Sequence, residues 1–413
     1  MGPRPAGIPA PLMGLANLPF GLWGGLTLVT IPQLLAARGV PEPLIASITA
    51  AAMIPTFCGF LVAPILDVGL SRRTYAVIFG LLTAALAVLA ITQIAAPVRL
   101  APLMIAGFLS ANLFYNALGG WLSNLVDPGD EGRLASSFTI GNIAGFGLGA
   151  IAFISLLRSL PPQVGALAVG AIIALPLLLI LAMPPASRER RTAQESFGAL
   201  FRDLAVLVRQ PLVLRTALLF LLPAASFALT NTLGGLGHAF RASESFVAIV
   251  AGIGVTVAGI AGASLTPILL RKAQPLSLYL AIGGMGALFT LALIVLPATP
   301  AVFALAVVGQ NVFQSAAFAV ESTIVFRTIG EGNPLAATQF GLLQAMTCAP
   351  IIYMQAVDGH AYGAGGLTGM FLADAGLSLA ACALLLPLVL RWRRRAHDRL
   401  GGVPAPQERG ATP

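Results

Sequence analysis

Ala63-Pro64-Ile65-Leu66-Asp67, with Arg72-Arg73 close behind, is the stretch from which the fold can be read. A second copy, Thr266-Pro267-Ile268-Leu269-Leu270, is followed by Arg271-Lys272. Each copy joins the end of one apolar run to the start of the next. Two further pairs keep the same order: Asn112-Leu113-Phe114 returns as Asn311-Val312-Phe313, and Glu131-Gly132 returns as Glu331-Gly332. The copies lie about 200 residues apart, so one half of the chain is used twice. No single match decides this; their shared order and spacing do.

The medium around this repeat follows from composition. Of 413 residues, 57% are hydrophobic and 9% charged, and the mean hydropathy is +0.91. Soluble domains carry about 25% charged residues, so these charges cannot coat a surface facing water. The solvent is lipid. A spanning helix needs about 20 mostly apolar residues. Apolar runs bounded by charges or prolines predict twelve spans, six per half. The first six are 13–36, 44–66, 74–95, 101–125, 135–157 and 163–183. The second six are 215–238, 245–269, 276–297, 301–326, 336–357 and 367–390. Pro32, Pro55, Pro64, Pro176, Pro223 and Pro350 fall in or near these spans, where neighbouring helices satisfy the freed backbone groups. The expected architecture is an all-α membrane protein with twelve transmembrane helices. Residues 1–184 and 215–395 form two six-helix bundles around a central cavity, 185–214 link them, and 396–413 are a tail.

A net charge of +8 on a soluble protein would suggest nucleic acid or anionic ligands. Here the basic residues lie between apolar runs, and Lys272 is the only lysine among them. Arg38, Arg99, Arg158 and Arg241 fall in one set of connections; the rest of the 23 basic residues fall in the alternate set and the ends. That bias predicts both termini in the cytoplasm of a bacterial inner-membrane protein, with no nucleic-acid partner. Pro3, Pro5, Pro9 and Pro11 interrupt the place of a signal peptide, so the first span is expected to act as an uncleaved insertion signal. In the linker, Phe197, Leu200, Phe201 and Leu204 oppose Arg202 and Arg209, as in a helix lying on the cytoplasmic surface. Cys58, Cys348 and Cys382 are far apart inside apolar runs and read as packing residues.

In hydrocarbon a polar side chain needs a partner or an aqueous cavity. Asn112, Asn116, Gly119 and Ser123 share one face of the fourth span, with Tyr115 one step aside. Gln310, Gln314 and Glu321 make a matching stripe in the tenth. Asn17 marks the first span, Asn231 the seventh, and Gln339 and Gln344 the eleventh. The expected cavity lining is therefore Asn17, Asn112, Tyr115, Asn116, Asn231, Gln310, Gln314 and Gln339. Bonding between helices alone is the competing explanation. Glu321 lies deep in its span with no cation beside it in sequence, which suits proton coupling; pairing with Arg327 is the other reading. Asp374 is the second coupling candidate, or a partner for the 358–366 connection. His238 and His360 fall at span ends and read as water-facing. Asp67, Arg72 and Arg73, at the turn after the second span, suit a gate that bonds to a neighbouring helix end in one conformation only. An amide-rich lining favours a solute rich in hydroxyl, amide or carbonyl groups. Gly141, Gly145 and Gly149, and Gly252, Gly259 and Gly262, read as small-residue packing faces.

The chain has no Gly-x-x-x-x-Gly-Lys nucleotide loop and no His, Cys and acid cluster at metal spacing. No cofactor, metal or enzymatic chemistry is expected.

Over residues 12–395 the chain resembles the major facilitator superfamily. Its most specific piece is Asp67-Val68-Gly69-Leu70-Ser71-Arg72-Arg73, similar to the family signature Asp-Arg-x-Gly-Arg-Arg/Lys. Val68 replaces the first Arg, the basic pair comes one residue late, and Leu270 replaces the acid in the second copy. Asn17-Leu18-Pro19-Phe20-Gly21 and Ala63–Asp67 look most like the branch of muropeptide permeases, acetyl-coenzyme A transporters and some siderophore permeases. Where muropeptide permeases carry Gln-Asp-Ile-Ala-x-Asp, this chain has Asn116-Ala117-Leu118-Gly119-Gly120. Together with the repeat, the resemblance implies a monomeric secondary active transporter working by alternating access. The leading expectation is proton-coupled uptake of a small polar or amide-containing organic solute, siderophore-like or peptidoglycan-fragment-like. An uncoupled facilitator, an efflux pump, and a lipid-handling enzyme or flippase are the alternatives.

Overall fold

The computed structural model describes residues 8–183, 209–330 and 332–401, without the side chains of residues 42, 57 and 393–401. Most of the predicted 185–214 linker, most of the 396–413 tail and Glu331 of the repeat lie outside the described residues. Ten described helices are long and apolar enough to cross a membrane. Six belong to the first half: Ala10–Ala36, Pro43–Leu61, Arg72–Thr92, Pro97–Leu125, Glu131–Ser159 and Pro162–Ala182. The others are Glu244–Leu270, Pro275–Ile294, Pro300–Ile329 and Ala336–Trp392. In the last, helical geometry fails at Gly365 and at Gly366, whose φ of 60° suits glycine, so it comprises the eleventh and twelfth spans.

The seventh span departs from the expected single helix. Pro211–Leu221 is helical, the chain then unwinds, and Leu229–Thr232 leads into a 3-10 segment, Leu233–Phe240. Pro223 has no N–H to continue the ladder, and Phe227 takes a left-handed φ of 47°. Neighbours meet the freed carbonyls: Tyr353 donates its hydroxyl to Leu221 O at 2.8 Å, and the Cys382 thiol lies 3.5 Å from Ala224 O. The ninth span makes room with glycines. A methyl on Gly283 would come within 1.9 Å of Ala224 O, and one on Gly286 within 2.3 Å of the Phe227 ring.

Glycine also sets the contact between the first and fifth spans. A methyl on Gly21 would lie 2.0 Å from Asn142 O, and one on Gly145 would lie 2.6 Å from Leu18 O. The backbones therefore touch, and Gly141 and Gly149 extend the same seam. In the eighth span Gly262 abuts Val312 O and Gly259 abuts Ile143, whereas Gly252 faces open space and belongs to no packing face. The two halves meet along the fifth and eighth spans. Ser136 Oγ donates to Ala263 O at 2.7 Å, Gly132 faces Leu270, and Gly147 faces Thr256. Leu167, Leu175, Val257 and Leu384 are each more than half exposed, as lipid-facing residues should be.

Gly21→Ala must push the first and fifth spans apart, and we expect it to cost about 1–3 kcal/mol of stability. Thermal unfolding in detergent checks this against Gly252→Ala, which should melt within about 0.5 kcal/mol of the parent.

Candidate functional site

A cavity of about 190 Å³ lies between the halves. The first half supplies Asn17, Phe20, Thr56, Phe60, Asn112, Tyr115, Asn116, Phe138, Thr139 and Asn142. The second supplies Phe318, Glu321 and Ser322 from the tenth span, and Gly341, Gln344, Ala345, Thr347 and Cys348 from the eleventh. Tyr115 stands at its centre. Its ring stacks on Phe20 at 4.5 Å and meets Phe138 and Phe340 at 5.2 Å each, while its hydroxyl is bonded to Gln344 Nε2. Glu321 is 4% exposed and accepts a hydrogen bond from the Tyr279 hydroxyl on the ninth span. Tyr115 and Cys348 line the same cavity. Among the described residues no Arg, Lys or His lines the cavity. Arg327 pairs with Glu131 across the halves at 3.6 Å, so it is not the partner of Glu321.

On the side carrying most of the arginines Asp67 joins the two halves. Ala63–Asp67 is a 3-10 turn, and Gly69 reverses the chain with a φ of 85°. Ser71 caps the third span by accepting from Thr74 N at 3.1 Å, which sets Arg72 and Arg73 in its first turn. Asp67 Oδ1 accepts from Arg72 Nε at 2.7 Å and from Ala337 N at 3.1 Å. Its Oδ2 accepts from Thr338 N at 2.8 Å and from the Thr338 hydroxyl at 2.6 Å. Ala337 and Thr338 open the eleventh span, where N–H groups have no partner inside the helix and the dipole favours an anion. Arg72 Nη2 reaches on to Asn333 O at 3.1 Å and Pro334 O at 2.7 Å, in the other half. Arg73 stays in its own half and caps the sixth span through Ile180 O and Leu181 O. Among the described residues, every side-chain hydrogen bond joining the halves lies at the cavity or on this side of it.

Of the residues expected to line the cavity, the structure brings together Asn17, Asn112, Tyr115, Asn116 and Glu321. The others have different work. Gln310 donates to Thr290 Oγ1 at 2.6 Å and Gln314 to Thr230 Oγ1 at 2.8 Å, both inside the second half. Gln339 accepts from Asn333 Nδ2 at 2.6 Å beside the latch, and Asn231 is exposed on the broken seventh span. Asp374 is buried near a second acid, Asp358, and lies apart from the cavity lining. His238 and His360 are exposed. Sequence reading passed over Thr56, Thr139, Asn142 and Tyr279. Asn142 lies in a glycine-rich stripe that drew attention to packing, and its amide was the available signal. Among the described residues no group of three His, Cys, Asp or Glu side chains could hold a metal ion.

The Major Facilitator Superfamily model matches residues 13–354. No curated protein matches the chain in sequence. Among solved structures it is similar to the human organic anion transporter MFSD10 (TETRAN), at 18% identity and a TM-score of 0.68, over 91% of this chain and 98% of that one. It is also similar to a bacterial homologue of the iron transporter ferroportin in an outward-facing state (16%, TM-score 0.67, 92% and 98%). The E. coli fucose:proton symporter FucP is a third (18%, TM-score 0.64, 90% and 97%). These likenesses show the fold. With the family match running over most of its length, the chain belongs to the Major Facilitator Superfamily.

Proposed function

We propose that this chain is a proton-coupled secondary transporter that moves a small polar organic solute by alternating access across a bacterial inner membrane. One observation carries the proposal: a cavity shared by two halves that Asp67 joins on one side, with a single buried carboxylate inside it. The arginine-rich side is the cytoplasmic one in this reading, as the charge bias of the connections requires. The structure then corresponds to the state open away from the cytoplasm, the state named for the ferroportin homologue. Return to the other state needs Asp67 to give up Ala337 and Thr338.

Glu321 is the proton carrier. It faces no cation, so loading or releasing a proton changes the charge of the cavity by one in a weakly screening environment. That change biases the two conformations differently, which is what coupling requires. The similarity to a fucose:proton symporter supports the choice of ion. A volume of about 190 Å³ is below the 300–1,000 Å³ of common ligand sites, which favours a small solute over a siderophore chelate or peptidoglycan fragment.

Two experiments test this. Cys348 lines the cavity and serves as a reporter once Cys58 and Cys382 are replaced by Ala. Asp67→Asn should raise its labelling from the cytoplasmic side by about tenfold or more, because Arg72 is left buried beside a neutral amide. Unchanged labelling would remove Asp67 from the gate. In proteoliposomes with an imposed pH gradient, screened against labelled amines, sugars and amino acids, the parent should accumulate a solute. Glu321→Gln should lose gradient-driven accumulation of that solute; retained accumulation would take the proton off Glu321.

A further inference from the structure

We infer that the cavity is shaped for a small organic cation bearing N–H groups, with Glu321 as its counter-ion; this rests on the transporter reading above and names its solute class. The first argument is the direction of the amides. Asn17 Nδ2 is spent on Phe138 O at 3.1 Å and Asn112 Nδ2 on Phe108 O at 2.9 Å. A carbonyl can only accept, so both amides are held with their nitrogens turned toward backbone. Gln344 bonds the Tyr115 hydroxyl, which can donate as well as accept, so only the two asparagines have their direction set by a backbone carbonyl. Asn17 Oδ1 and Thr56 Oγ1 are buried and have no partner among the described residues. An amide oxygen can only accept and a hydroxyl can accept, so both suit a guest that donates hydrogen bonds.

Charge and ring chemistry point the same way. The groups that face Glu321 are Tyr279, Tyr115 and Cys348, from the ninth, fourth and eleventh spans, and none is a cation. An ionised Glu321 has the Tyr279 hydroxyl as a hydrogen-bond donor and no opposite charge among the lining residues. Phe20, Tyr115, Phe138 and Phe318 line the cavity, and aromatic rings of this kind attract cations. An anion finds no Arg or Lys here, so the organic anions of the human relative do not suit this lining.

One consequence concerns direction. A single buried carboxylate is neutralised either by a proton or by a cationic guest, not by both. Binding of an ammonium to protonated Glu321 therefore releases that proton to water and leaves a carboxylate–ammonium pair. Proton and solute then cross in opposite senses, in place of the symport expected from sequence.

Calorimetry on the purified protein in detergent, in two buffers of different ionisation enthalpy, tests this with benzylammonium, benzyl alcohol, benzoate and n-butylammonium. Benzylammonium or n-butylammonium should bind with release of about one proton, and about tenfold or more tighter than benzyl alcohol or benzoate. Glu321→Gln should abolish the proton release and weaken amine binding by about tenfold or more. Thr56→Val removes a hydroxyl that bonds nothing among the described residues, so it keeps the fold; it should weaken the amine by about threefold to tenfold while the proton is still released. Equal or tighter binding of benzoate or benzyl alcohol, binding without proton release, or no binding of either amine would each overturn the assignment. If the amines fail while the Cys348 labelling still responds to Asp67→Asn, the solute class is wrong and the transporter stands. If both fail, the transporter reading falls with it.

Discussion

The closed state depends on one carboxylate. Asp67 is 7% exposed and accepts four hydrogen bonds, three of them from the first turn of a helix in the opposite half. That number uses up the lone-pair sites of a carboxylate. Removing an ion pair from water costs several kcal/mol per ion, so the pair persists only where its remaining hydrogen-bonding capacity is met. Here it is met by two helix-terminal N–H groups that otherwise need water. When the halves separate, the carboxylate, Arg72 and those N–H groups all regain water together. Cost and gain therefore rise and fall as a unit, and the balance between closed and open stays small enough for a solute or a proton to tip.

The repeat gives this latch a counterpart of different chemistry. The turn after the second span places Asp67 on the start of the eleventh; the turn after the eighth places Leu270 on Gly132, near the start of the fifth. Leu270 stands where the first copy has its acid, so its own contact is apolar, and the Ser136 hydroxyl on Ala263 O is the neutral hydrogen bond beside it. The nearby Glu131–Arg327 pair adds little, since Arg327 is 45% exposed and such pairs contribute about 0–1 kcal/mol. One side of the pseudo-symmetric seam is all-or-none, and the other can slide against glycine.

Much of this was legible in the sequence because hydrocarbon is a severe solvent. Apolar run lengths located the spans to within a few residues, except where Pro223 and Phe227 unwind the seventh and leave its carbonyls to Tyr353 and Cys382. Those partners are remote in sequence, so no local pattern announces them. The polar stripes were visible for the same reason, yet a stripe says only which face is wet and not what meets it. Asn116 meets the cavity, whereas Gln310 and Gln314, on the matching stripe, meet Thr290 and Thr230. A threonine on a neighbouring helix is enough to turn a cavity residue into a packing one. The altered signature turn carried a similar ambiguity: with Val68 in place of Arg, it is Arg72 that closes the pair and crosses to the other half.

The eleventh span ties latch and cavity into one device. Ala337 and Thr338 in its first turn hold Asp67; Gly341, Gln344, Thr347 and Cys348 line the cavity from the same helix. At 1.5 Å per residue, Thr338 and Gln344 are about 9 Å apart along a rigid rod. Gly341 lies close against the first half, since a methyl there would come within 2.9 Å of Asn116 Nδ2 and within 3.3 Å of Ala63 in the latch turn. A guest that draws Gln344 inward, or a change of charge on Glu321 beside Tyr115, acts on this helix directly. The rod cannot bend within two turns to absorb such a shift, so it passes to the first turn, where the Asp67 bonds either keep their geometry or break. Coupling between the site and the gate then needs no relay of intermediate residues, because both are written on one helix.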